Sequence, residues 1–218
     1  MRLKVPAILA AALGLGATPV VPLPSGTYTY AIHADGKVTA TSTVTVTHKA
    51  STITVQEAVS AEGQTRTSKR VLDPATLSTL SWSGPIENGS PDSVIVSAKS
   101  ATYRHGSSST LLKKPAPDAP SAVFDFFVAE YATLPAMLQA SGAKKYNEFC
   151  TCIGGFEVKA IDVVASTAKP PAGARPGDVA IGLSNGSVTA TLWYDPHSYV
   201  MSELDFPNEN VSYVRLSP

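Results

Sequence analysis

From Thr27 the chain alternates polar and apolar residues as far as His33, turns at Asp35-Gly36, and resumes with a longer alternating run. In that second run Val38, Ala40, Ser42, Val44 and Val46 interleave with Thr39, Thr41, Thr43, Thr45 and Thr47. A period of two sends neighbours to opposite faces of a sheet, so this strand has a small or apolar inner face and a threonine ladder outside. Asp-Gly between two such runs signals a two-residue hairpin turn. Ile53, Val55 and Val59 carry the alternation into a third strand, and Thr65–Leu72 and Ser93–Tyr103 predict two more. Glu57 falls on the apolar phase of the third strand, where a buried carboxylate would hint at function. An edge position or a bulge is the expected way of keeping it in water. The polar segment Ser83–Asp92 reads as a turn-rich loop.

Residues 113–120, KKPAPDAP, end this β pattern. The apolar spacing then changes to threes and fours. Phe124, Phe127, Val128, Tyr131, Leu134 and Leu138 fall on one face of a helix predicted over about 121–141. Pro120 suits a first helical position, where no N–H partner is needed, and Gly142 suits a left-handed end. Pro135 removes one hydrogen bond and crowds the preceding turn, so the helix should kink there. A face this aromatic must lie against a sheet. Strands resume over about Phe149–Ala165 and again over Val179–Leu216, either side of the loop Lys169–Asp178. Asn185-Gly186 is a second strong hairpin signal.

Two strand ends share a pattern: LDPAT at 72–76 and YDPHS at 194–198. Aspartate suits the first position of a type I turn, and proline presets the φ angle of the second. GKVTAT (36–41) and GSVTAT (186–191) also echo each other after their turns. In its order of β-rich first half, central aromatic helix and closing hairpins after an Asp-Pro turn, the chain resembles exported bacterial envelope families such as the outer-membrane lipoprotein carrier. That resemblance implies a curled, incomplete antiparallel barrel around a helix, and in the carrier the space between them holds acyl chains. It rests on element order and the Asp-Pro turns, and no functional residue of the carrier maps onto a position here. The expected fold class is mainly β (α+β), a curled antiparallel sheet or incomplete barrel packed on one kinked central helix.

The N-terminus changes the length that has to fold. Arg2 and Lys4 precede the apolar run Ala7–Ala17, and small residues and prolines follow, as in a secretory signal peptide. The run is too short for a membrane span. Cleavage after Ala17 leaves 18–218 as a single β-rich domain, exported to the periplasm or the extracellular space. Of the 17 Lys and Arg, 15 then remain against 17 Asp and Glu, a net charge of −2. Such a balance argues against non-specific nucleic-acid binding, which needs a basic surface.

Candidate chemistry is sparse. Gly182-Leu-Ser184-Asn-Gly186 matches a nucleophile elbow, and Asp195 and His197 follow in hydrolase order. The elbow requires a strand running into a helix, whereas Ser184 stands beside a hairpin turn, and no catalytic residue is assigned. His33, His48, His105 and His197 lack metal-ligand spacing and lie in or near predicted turns, so no metal or other cofactor is expected. Asn88, Asn185 and Asn210 head N-x-S/T triplets, which matter only in a glycosylating compartment. Cys150 and Cys152 are the two cysteines. On one strand their Cα atoms would stand about 6.6 Å apart, the stretched limit for a disulfide. A bond there would be easily reduced unless Gly154-Gly155 lets the strand bulge.

The expected function is that of a non-catalytic envelope or periplasmic protein. It would bind an apolar or lipid ligand on Phe124, Phe127, Val128, Tyr131, Leu134 and Leu138, between helix and sheet. A thiol redox or metal-binding protein using Cys150 and Cys152 is one alternative. A structural module that contacts an envelope protein partner is the other.

Overall fold

A computed structural model describes residues 23–87, 90–125, 128–151, 155–171, 174–185 and 189–216. The proposed signal segment, Phe126, Phe127 and Cys152 therefore lie outside the described residues. The first half supplies β1 (Gly26–Ala34), β2 (Lys37–His48), β3 (Ile53–Ala61), β4 (Gln64–Leu72), β5 (Thr79–Glu87), β6 (Ser90–Val96), β7 (Ser100–His105) and β8 (Ser108–Lys113). After them come β9 (Ser121–Phe124) and the helix α1 (Ala129–Ser141). The second half adds β10 (Lys145–Cys150), β11 (Glu157–Ala165), β12 (Val179–Ser184), β13 (Thr189–Tyr194), β14 (Met201–Phe206) and β15 (Val211–Arg215). All the strands join one unclosed sheet in the order β8-β7-β6-β5-β4-β3-β2-β1-β15-β14-β13-β12-β11-β10-β9, mainly β as the alternation predicts. Every ladder is antiparallel except β9 on β10, which is parallel.

The alternation of β2 is realised over its second half, where Ser42, Val44 and Val46 are buried beneath exposed or half-buried threonines. Asp35-Gly36 makes the expected turn, with φ of 50° and 74°. Glu62-Gly63 repeats it between β3 and β4 with φ of 50° and 76°, without any Asn or Asp to announce it. The segment Ser83–Asp92 is not the loop expected over its described residues: Ser83–Glu87 and Ser90–Asp92 are strand residues of the paired β5 and β6.

The helix is shorter than its spacing suggests. It begins at Ala129 rather than near 121, because Ser121–Phe124 pair with Asn147–Cys150 as a strand. Ser121, Ala122 and Val123 are all buried, so their run of small and apolar residues is a doubly covered strand, indistinguishable by spacing from a helix start. Pro135 lies within the continuous helix Ala129–Ser141, and Gly142 ends it at φ 63°. Ala129–Leu138 are buried without a break, so no side of those turns is left to water. α1 touches β14, β9 and β3. Its Leu134, Met137 and Leu138 share one core with Tyr30 of β1, Val44 of β2, Val55 of β3, Leu192 of β13 and Leu204 of β14.

The two ends of the sheet approach each other, β9 against β5 and β8 against β11. A second core forms where they meet, from Trp82, Val94, Ala101, Val123 and Phe149. β10 is thereby covered on both faces. Tyr146, Glu148 and Cys150 share one face, while Asn147 and Phe149 point the other way. The Asn147 amide straps the proline-rich segment over the strand, donating to the carbonyls of Ala116 (2.7 Å) and Ala119 (3.1 Å) and accepting from the Ala116 N–H (3.0 Å). Among the described residues no helix is long and apolar enough to cross a membrane.

Candidate functional site

Two polar features stand inside this apolar frame. The first sits at the start of α1, where four backbone N–H groups lack helical partners. Val128 has no side chain able to cap them. Glu57 does so from β3: its carboxylate accepts from the N–H of Val128 (2.7 Å) and Ala129 (3.0 Å) and from the Ser42 hydroxyl (2.6 Å). Glu57 is therefore on neither an edge nor a bulge. It is 2% exposed, in regular register between Val44 and Ser68. Arg70, 1% exposed, lies 3.5 Å from Glu57 and donates to Asp125 (2.5 Å) and to the Ser68 hydroxyl (3.2 Å). The Trp82 indole N–H donates to the other Asp125 oxygen at 2.6 Å. A Cβ at Gly84 would come within 2.3 Å of the Trp82 ring, so only glycine lets the indole lie along β5. Burial pushes the Glu57 carboxyl up to about 7, against the opposing pull of Arg70. These residues, with Ser78 accepting from the Ser121 N–H at 2.9 Å, clasp β4 and β5 to β9 where no backbone ladder joins them.

The second feature is a cavity of about 330 Å³ against α1, β9 and the β10–β15 half of the sheet. Phe124, Tyr131, Tyr146, Phe206 and Tyr213 supply an aromatic wall. Edge-to-face contacts link Phe124 to Tyr131, Tyr131 to Phe206, and Phe206 to Tyr213 at centroid distances of 5.6, 5.7 and 6.1 Å. Ile161, Leu183, Ala190 and Val211 complete the apolar lining. Ser184, Asn185 and Glu209 stand at hairpin ends, and Lys159 lies on β11 directly across from Glu148. Glu148 is the carboxyl in the wall, and it accepts the Tyr146 hydroxyl at 3.1 Å. Glu130, from the first turn of α1, lies beside it and is 2% exposed. Burial raises both carboxyls above the usual range, and Glu148 raises Glu130 further.

Of the residues singled out from sequence, Phe124 and Tyr131 line this cavity. Val128 and Leu134 are buried in the filled core, and Leu138 borders a separate shallow hollow with Pro135. Phe124 belongs to β9 rather than to the helix. Cys150 is disulfide-bonded, buried, and part of the cavity wall. Sequence reasoning missed Arg70, Glu130 and Glu148. Arg70 shares the inward phase of β4 with Ser68 and Leu72, and Glu148 that of β10 with Tyr146, so alternation could have found both. Glu130 left no such signal.

The hydrolase-like residues are kept apart. Ser184 closes β12, whereas Asp195 and His197 occupy the turn at the far end of β13. Asp195 accepts from the His197 N–H at 2.8 Å and the Ser198 hydroxyl at 2.9 Å, and is committed to that turn. Among the described residues no group of three or more His, Cys, Asp or Glu could hold a metal ion. No protein-family model matches the chain, and comparison with curated proteins finds no significant relative.

Proposed function

We propose that this is an exported, non-catalytic envelope or periplasmic protein that binds an apolar or lipid ligand between helix and sheet. In this reading the sheet is an incomplete barrel, α1 is its kinked central plug, and the hollow beside Tyr131 is the binding site. The observation that carries it is the cavity of about 330 Å³, whose wall is mostly aromatic and aliphatic. Ligand sites start at about 300 Å³ and combine apolar lining with a few polar groups, as here. The carrier resemblance points the same way but adds no residue.

The test is occupancy. Native mass spectrometry of gently purified protein should show a bound single-chain lipid or a comparable apolar molecule. A fluorescent fatty-acid probe should bind the emptied protein. Ala190, 2% exposed in the wall, offers a way to fill the space. Ala190→Leu should weaken the probe by about tenfold or more while leaving the thermal midpoint nearly unchanged, because the added methyls enter a void. Empty protein that takes up no probe refutes the reading.

A further inference from the structure

A purely aliphatic ligand does not answer the chemistry of the cavity wall. Glu148 receives one hydrogen bond from Tyr146, and neither Glu130 oxygen meets an N–H or hydroxyl donor among the described residues. Glu130 can bond only to the Glu148 carboxyl, and only when one of the two carries a proton. Around them stand the rings of Tyr131, Tyr146, Phe124, Phe206 and Tyr213. Aromatic faces attract cations through the ring quadrupole, and a carboxylate beside them adds a charge-assisted hydrogen bond. An ammonium group brings donors that the two carboxyls do not find in the surrounding rings.

We propose, building on the ligand-binding reading above, that the cavity selects an organic cation: an ammonium group on an apolar body, seated between the aromatic wall and Glu148, with Glu130 behind. Lys159, the direct cross-strand neighbour of Glu148, is the one competing cation in the lining. Its amine is 3.4 Å from Glu157 with half its side chain exposed, so its charge is shared with Glu157 and screened by water although it also pulls on Glu148. Arg70, behind Glu130, is occupied by Asp125 and Glu57. Burial raises both carboxyls, and a bound cation favours their charged form, so binding strengthens as pH rises. Glu209 at the mouth adds attraction for the cation, and Tyr131, Tyr146 and Tyr213 stay neutral because burial raises them further.

Calorimetric titration of the full chain with decylamine, decanol and decanoate separates the head group from the tail. At neutral pH decylamine should bind about tenfold or more tighter than decanol. Glu148→Gln should erase that preference while keeping decanol binding. Lys159→Met changes a half-exposed residue and so tests the same point without risk to the core. It should tighten decylamine and weaken decanoate. If all three bind alike, or if decanoate is preferred, the cation inference falls and the apolar-ligand reading stands. If none binds, both fall.

Discussion

Arg70 carries a full charge into the interior, and its surroundings explain how that is tolerated. Asp125 and Glu57 face it from β9's end and β3, and Ser68 takes a third contact. Removing one partner of a buried pair is far more damaging than the pair is stabilising, since the remaining charges lose both water and counter-ion. Arg70→Met, which keeps the length of the side chain, should therefore lower stability by about 3–5 kcal/mol above neutral pH, read from the urea midpoint. A loss below about 1 kcal/mol would show that the buried ion pairs contribute little net and that the other contacts hold this region together. Half of this cluster could be read in the sequence. Glu57 and Arg70 both sit on inward phases of strands joined by a short hairpin. Asp125 lies 55 residues from Arg70, beyond the reach of any local pattern, and that distance is closed only when the sheet curls.

At the scale of elements, turns were the most legible feature and the helix start the least. The two Asp-Pro turns are near copies. Leu77 N–H bonds Asp73 at 2.8 Å and Tyr199 N–H bonds Asp195 at 2.8 Å, and Leu77 and Tyr199 both take φ of 56°. Each follows a register shift in its strand pair, so the repeated sequence encodes a repeated bend. The helix start was misplaced because Ser121–Phe124 owe their extended form to pairing with β10, and the first turn of α1 is capped from β3. Neither cause is local. The hairpin turns offer a reciprocal test. Glu62 occupies a left-handed position that Asp35 fills in the sister turn, and Asn or Asp tolerate that region better than Glu. Glu62→Asn should raise stability by about 0.5–1 kcal/mol, and Asp35→Glu should lower it by a similar amount. Thermal melts of the two variants check both signs. Equal effects in one direction would mean that side-chain contacts, not backbone preference, govern these turns.

For the whole molecule, the alternating strands gave the class of fold, while the order of strands followed from long-range closure that no local pattern records. Closure also concentrates carboxyls inside, and this sets how stability depends on pH. Glu57 titrates at about 7 in the folded protein against an ordinary 4.5, because burial disfavours its charge. A raised carboxyl binds its proton more tightly when folded, so its contribution is complete below about 4.5 and is lost as pH rises through about 7. Glu130 and Glu148 are shifted the same way by burial. Asp195 is shifted the opposite way by its turn hydrogen bonds, led by the His197 N–H, and its contribution is lost only as pH falls below its ordinary 3.8. Stability should therefore peak in mildly acid solution and decline through neutrality, with Glu130→Gln flattening the decline because it removes one of the titrating groups. Circular-dichroism melts across that range read the slope directly. A flat profile between the two values for Glu57 would mean that Arg70 and the helix N-terminus hold these carboxyls ionised throughout, and that the clasp, rather than burial, sets their protonation.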